Sequence, residues 1–189
     1  MSVRTFVALE LSDSLKEGIL ALTEELRLRG VQASWARRPT LHLTLKFLGD
    51  VEETSLPEVV AAVARASSCV SSFGFETRAL GAFPSPRRPR VLWLGVEPVD
   101  ELFVLQEAVE SELADLGLPR EKRRFHPHVT LGRIRDPRAE SVQQILDEFV
   151  APKERVEVLE VRVMRSTLRP GGAIHELVEA VPLESGLRE

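Results

Sequence analysis

Tyrosine and asparagine are absent from this chain, and cysteine occurs once, as Cys69. Without tyrosine there is no phenolic nucleophile to consider. One cysteine permits neither an internal disulfide nor a cysteine-based metal cluster, and such sparing use fits a reducing, cytoplasmic setting. No apolar run approaches the roughly 20 residues of a membrane-spanning helix. The opening Met1-Ser2-Val3-Arg4-Thr5-Phe6 lacks the apolar stretch and cleavage site of a secretory leader. A Gly-rich phosphate loop, a dinucleotide turn, a Gly-x-Ser-x-Gly elbow and a His-Glu-x-x-His pair are all missing. ATP, NAD, serine-hydrolase and zinc-protease readings therefore lack support.

What remains is a chain of 189 residues, 43% hydrophobic and 29% charged, enough for a buried core in one domain or two small lobes. Its net charge of −4 argues against a general nucleic-acid coat protein. The charge is unevenly spread, however. Arg37-Arg38 precedes one copy of a repeated motif, Arg120, Lys122, Arg123 and Arg124 precede the other, and Arg87, Arg88 and Arg90 fall between them. These clusters predict a local anion site on an acidic protein.

The first copy of the motif, Leu41-His42-Leu43-Thr44-Leu45-Lys46-Phe47-Leu48-Gly49, is echoed by His126-Pro127-His128-Val129-Thr130-Leu131-Gly132-Arg133, with the key histidines 128 − 42 = 86 residues apart. Side chains alternate faces along a strand. Strict alternation puts Leu41, Leu43, Leu45 and Phe47 on one face of the first copy and His42, Thr44 and Lys46 on the other. In the second copy His128 and Thr130 share a face, with Val129 and Leu131 opposite. Two such strands would surround one small group with two imidazoles and two hydroxyls.

Read in order, Val3–Leu11 is a strand. Ser12-Asp13 caps a helix with the stripe Leu15, Ile19, Leu22 and Leu26, stopped at Gly30. The first motif strand spans 41–48, and Gly49-Asp50 closes it. A helix over Ser55–Ser67 has Pro57 near its start and buries Val59, Val60, Ala62, Val63 and Ala66. Phe73–Leu80 is a strand, Gly81–Pro89 a loop with three prolines, and Arg90–Val96 another strand. A helix over Asp100–Leu116 carries Leu102, Leu105, Val109, Leu113 and Leu116 before Gly117. The second motif strand, 128–134, leads to a helix over Ala139–Phe149 burying Val142, Ile145, Leu146 and Phe149. Strands Arg155–Met164 and Ala173–Val181 finish the chain, joined by the turn 170–172, with Glu184–Glu189 expected to be disordered. The order β-α-β-α-β-β, then α-β-α-β-β, suggests an internal duplication within a single two-lobed α+β domain over residues 1–189. Each lobe would be a mainly antiparallel sheet with two helices and one motif strand lining the cleft between them.

The chemistry indicated is acid–base. Imidazole titrates near neutrality, so one histidine can accept a proton while the other donates one. Threonine hydroxyls can hydrogen-bond phosphoryl oxygens. A strained cyclic phosphate suits two such groups acting without a metal. His126 and His128 also have a zinc-ligand spacing, with His42, His175 or a carboxylate as the third ligand. A lone strand histidine is ordinarily structural; two copies in matched contexts are a much stronger signal.

At these residues the chain resembles the 2H phosphoesterase superfamily, specifically the RNA 2′,3′-cyclic phosphodiesterases, also called 2′-5′ RNA ligases. The resemblance also takes in Arg4-Thr5-Phe6-Val7-Ala8-Leu9, Gly81-Ala82-Phe83-Pro84, Pro89-Arg90-Val91-Leu92-Trp93 and Ser166-Thr167-Leu168. It implies a pseudo-symmetric two-lobed fold and hydrolysis of a terminal 2′,3′-cyclic phosphate on RNA to a 2′-phosphomonoester, with no cofactor and no metal. His42 would be the proton donor and His128 the proton acceptor. Thr44 and Thr130 would bind the phosphate oxygens, and Phe47 and Arg133 would add substrate contacts. A regular strand, though, would point Arg133 away from His128. An RNA 5′-hydroxyl in place of water would give a 2′-5′ linkage. The implied partners are RNA ends with a 2′,3′-cyclic phosphate, tRNA-derived ends among them, and no membrane; a monomer is expected. Family members often carry tyrosine where this chain has His175. An RNA-end-binding protein with little or no catalysis is the alternative reading.

Overall fold

Apolar runs bounded by turn residues become strands here, and stripes of helical period become helices packed on one face of them. The structure is a computed structural model describing residues 1–135, 142–170 and 172–185, without the side chains of residues 143 and 145. β1 (Ser2–Leu9) leads to α1 (Asp13–Leu28), whose N-cap Ser12 accepts a hydrogen bond from the Leu15 N–H. β2 (Ala33–Trp35) and β3 (Leu43–Glu52) come next, then α2 (Leu56–Ser67) with Pro57 in its first turn. β4 (Phe73–Ser85) and β5 (Arg88–Val96) form a hairpin, and α3 (Asp100–Ala114) precedes β6 (His128–Ile134). α4 (Val142–Glu148), β7 (Arg155–Val158), β8 (Glu160–Arg169) and β9 (Gly172–Pro182) complete the described elements.

Strands pair in the order β7-β4-β5-β6-β3-β1-β8-β9, with β2 added beside β6. Every ladder between them is antiparallel. The expected α+β class holds, and the two lobes are halves of one continuous sheet. Leu15, Ile19, Leu22 and Leu26 of α1, Val59 and Val63 of α2, and Leu102, Leu105, Val109 and Leu113 of α3 join one core with Leu43, Leu94, Val129 and Leu131 of the sheet. The helices thus cover one face, and the other face carries the site.

Several expected boundaries shift. The stretch read as a proline-rich loop, Gly81–Pro89, is mostly strand, since β4 runs to Ser85 and β5 starts at Arg88. Pro84 faces Pro89 beside the hairpin turn, where a missing N–H disrupts little of the ladder. The expected strand Arg155–Met164 is two strands, because Leu159 breaks the alternation and is 64% exposed. The first motif strand continues past Gly49-Asp50 to Glu52. α3 stops at Ala114, leaving Leu116 exposed, and Gly117 with φ +80° comes after it. Glu184 is bridged to Ser71 instead of belonging to a loose tail. Residues 139–141, 171 and 186–189, and the side chain of Ile145, lie outside the described residues.

The single connector Leu159 constrains the whole sheet. β7 is at one end of the strand order and β8 is next to the other. One residue spans at most about 3.6 Å, so the sheet must curl until its ends meet, as a half-barrel. At that seam the Leu183 N–H donates to the Leu159 carbonyl at 2.8 Å and the Ser72 N–H to the Glu184 carbonyl at 2.8 Å.

The halves are also interlaced. β5, α3, β6, α4 and β8 begin 85 to 87 residues after β1, α1, β3, α2 and β4 (88 − 2 = 86 for the first pair). The third strand of each set crosses over, since β4 pairs with β5 while β8 pairs with β1. The two sets are therefore not consecutive lobes along the chain.

Candidate active site

The two motif strands lie side by side. β3 and β6 meet at one antiparallel pair, Leu43 with Val129, and both side chains are fully buried. These residues are equivalent in the two copies, so a pseudo-twofold axis passes between them. Extended by one residue each way, the register sets His42 opposite Thr130 and Thr44 opposite His128. All four turn away from the core, because their neighbours turn into it. Cross-strand neighbours have Cβ atoms roughly 5 Å apart. This register places the residue bearing each imidazole across from the residue bearing the other motif's hydroxyl.

Beyond the threonines both strands depart from regularity in the same place. In the β1–β3 ladder Ala8 pairs with Thr44 but Val7 with Lys46, so Leu45 is an extra, bulged residue. In the β5–β6 ladder Trp93 pairs with Thr130 but Leu92 with Gly132, so Leu131 is the equivalent bulge. Each bulge reverses the facing of the residues after it. Lys46, expected beside His42 and Thr44, is buried and donates to Glu110 Oε2 at 2.5 Å and to the Pro119 carbonyl at 2.8 Å. Phe47, expected in the core, is 70% exposed and lines the cavity. Arg133, which a regular strand would turn away, lines it too.

The two imidazoles have different surroundings. The His42 ring stacks on Phe6 at 4.8 Å between centroids and meets His175 edge-on at 5.4 Å. Burial, with the nearby His175 second, lowers its pKa to about 4, opposed by Glu10 and a hydrogen bond to the Thr40 backbone. His128 Nδ1 lies 2.6 Å from the His126 carbonyl, which can only accept, so Nδ1 carries the proton and Nε2 keeps its lone pair. Burial lowers its pKa as well, opposed by that same hydrogen bond. His128 belongs to an aromatic group with Phe83 at 5.0 Å and Trp93 at 6.3 Å. The ring of Trp93 occupies the space above Gly81, where a Cβ would lie 2.2 Å from it.

His42, Thr44 and Thr130 line a cavity of about 1280 Å³; His128 borders the aromatic group instead and is not among its lining residues. Among the described residues, five arginines reach this cavity, Arg4, Arg27, Arg37, Arg133 and Arg135, and none of the described lining residues is Asp or Glu. Of the clusters flagged from sequence only Arg37 contributes. Arg38 pairs with Asp13 and Glu17, Arg120 with Glu107, and Arg87, Arg88, Arg90, Arg123 and Arg124 are exposed away from the lining. For the zinc reading, His126 and His128 have ring centroids 6.3 Å apart, and among the described residues no three His, Cys, Asp or Glu side chains converge on a metal position.

The sequence profile of the 2′-5′ RNA ligase superfamily matches residues 13–169. The chain belongs to the 2′-5′ RNA ligase superfamily. An RNA 2′,3′-cyclic phosphodiesterase of Thermotoga maritima is 33% identical over 185 residues, covering 98% of each chain. One from Methanothermobacter thermautotrophicus is 34% identical over 188 residues, covering 97% of this chain and all of its own. A crystal structure of a Thermus thermophilus protein shares the fold with TM-score 0.80 at 24% identity, over 96% of this chain and 98% of its own. In this member of the 2′-5′ RNA ligase superfamily, Phe6, Trp35, Arg4 and Arg135 reach the cavity although motif reading did not single them out for it. Phe6 lies in a segment that carries the family resemblance, but nothing in spacing alone tied it to His42. No described helix is long and apolar enough to cross a membrane.

Proposed function

We propose that this protein is an RNA 2′,3′-cyclic phosphodiesterase that opens the cyclic ester to a 2′-phosphomonoester by two-histidine acid–base chemistry needing no metal. The reading rests above all on the reciprocal His–Thr arrangement about the Leu43–Val129 pair. Thr44 and Thr130 hydroxyls donate to the non-bridging phosphate oxygens. Water attacks phosphorus, its proton passes to Nε2 of His128, the bond to O3′ breaks, and His42 protonates that oxygen. The Nδ1–H of His128, held by the His126 carbonyl, leaves Nε2 as the acceptor this role requires. In the free protein His42, with its pKa near 4, is neutral at pH 7; the negative phosphodiester supplies the charge that brings a proton onto it. Phe47 and Arg133 contact the rest of the substrate. With an RNA 5′-hydroxyl in place of water the same groups would form a 2′-5′ bond. Within this reading the interlaced halves are an internal duplication in a single domain over residues 1–189.

The test is to incubate the protein, with EDTA, with a short RNA ending in a 2′,3′-cyclic phosphate and to identify the product. A 2′-phosphate is expected. His42→Ala and His128→Ala should each lower kcat by about 10²–10⁴. Retained turnover in either variant, or dependence on added metal, would overturn the two-histidine mechanism.

A further inference from the structure

The cavity is larger than its reaction end requires. At about 1280 Å³ it exceeds the ~300–1,000 Å³ typical of a small-molecule site. From His42, Thr44 and Thr130 it continues past Gly132 and Arg133 of β6 and Arg135 just beyond it to Ser34 and Trp35 of β2. β2 is a three-residue strand, pairing with β6 through Ala33–Ile134, Ser34–Arg133 and Trp35–Gly132, and its Trp35 packs partly against the core. The Trp35 ring lies against Gly132, where an added Cβ would come within 2.9 Å of it. Trp35 is half-buried and lines the cavity, so the indole is braced by the sheet and still reaches the open space. Arg135 is held in place by donation to Ser34 Oγ at 3.2 Å. Arg133 has no carboxylate partner among the described residues.

We propose that this arm is a subsite for the nucleotides immediately 5′ of the reacting end of a single RNA strand, with a base stacked on Trp35 and phosphates taken by Arg133 and Arg135. The inference rests on the phosphodiesterase reading for the position of the reacting end. Polarity is set by the chemistry, since a 2′,3′-cyclic phosphate is by definition at a 3′ terminus and everything beyond it runs 5′. From Thr130 to Arg135 the chain covers at most roughly 17 Å, at about 3.3 Å per residue, which is the reach of a few nucleotides. Stacking on an aromatic side chain needs an unpaired base, so the occupant is single-stranded. The five arginines among the described lining residues of an acidic protein point the same way. Phosphate contacts carry no sequence information, so the subsite selects length and strandedness and not sequence.

The experiment compares kcat/KM for substrates of one, two, three and five nucleotides, each ending in a 2′,3′-cyclic phosphate, across a range of salt. For the unaltered protein, kcat/KM should rise at least tenfold from one to three nucleotides and then level. Trp35→Ala should remove about tenfold of that gain, Trp35→Phe should keep most of it, and turnover of the mononucleotide should be unchanged in both. Arg135→Ala should reduce the salt slope on the trinucleotide by about 0.7. It carries the test on an exposed side chain should Trp35→Ala fail to fold. Equal kcat/KM at every length, or equal losses on mononucleotide and trinucleotide in Arg135→Ala, would overturn the subsite. Titration of Trp fluorescence with a trinucleotide ending in a 2′-phosphate separates the two proposals. Length-dependent binding that Arg135→Ala weakens, without turnover of any cyclic phosphate, sustains the subsite and defeats the phosphodiesterase. Turnover that ignores length does the reverse.

Discussion

Burial keeps His42 and His128 neutral in the free protein, and their histidine neighbours add to the effect. Both pKa values lie below the ordinary 6.5. The quantity kcat/KM reports the free protein, so its optimum should fall below pH 6.5, whereas kcat, measured with the phosphodiester anion bound, should peak at higher pH. Rate profiles between pH 4 and 9 on a cyclic nucleotide check this, and a kcat/KM optimum above 7 would contradict it. The same shift affects folding. Between pH 6.5 and about 4 the unfolded chain binds a proton at residue 42 that the folded chain refuses. Stability is then complete above the unfolded value and falls as pH drops, by roughly 3 kcal/mol from His42 once pH 4 is reached. Urea melts at pH 7 and 4.5 should show His42→Gln losing less stability on acidification than the unaltered protein. At this scale the sequence was informative about which imidazoles and hydroxyls matter, because a repeated His-x-Thr stands out. It was uninformative about Phe6 and His175, whose contacts with His42 come from strands far away in the chain.

At the scale of elements the helices were the most legible part. The stripe on α1, the Ser12 cap and the stop at Gly30 appear much as period and turn chemistry require, and the stripe on α3 holds from Leu102 to Leu113, short of Leu116. The strands were harder, because a bulge changes which face a side chain takes without changing composition. Nothing in Leu43-Thr44-Leu45-Lys46-Phe47 announces that Leu45 is the extra residue, so alternation carried Lys46 and Phe47 to the wrong faces. The break at Leu159 was readable in principle, since buried valines shift from Val156 and Val158 to Val161 and Val163, from even to odd. Lys46 also joins elements. Its ammonium meets Glu110 of α3, and Glu110 Oε2 further accepts the Glu121 N–H at 3.1 Å, anchoring the segment before β6. Lys46→Ala leaves that carboxylate buried without a countercharge, at an expected cost of about 3–5 kcal/mol. Lys46→Met combined with Glu110→Leu should recover much of it in thermal melts; a single substitution as mild as the double one would contradict a buried pair.

Across the whole molecule, pseudo-symmetry could be read from the 86-residue recurrence of the motif, but not the exchange of third strands. Element order alone favours consecutive lobes, and only pairing partners reveal that β4 and β8 have crossed. The crossing bears on how the chain is made. β1 and β3 emerge first from the ribosome, yet β1 lacks one neighbour until Glu160–Arg169 has been synthesised. β4 likewise waits for Arg155–Val158. Domains of multidomain chains fold one after another during translation, but neither half of this sheet has all its strands until nearly all of the chain is present. A fragment of residues 1–98 is expected to stay unfolded by near-ultraviolet circular dichroism and amide exchange, although it contains a whole His-x-Thr motif and both of its helices. The one-residue passage at Leu159 is then a timing device: the last strands to be translated complete both halves at once, and a ribosome stalled before it carries a chain with no finished sheet.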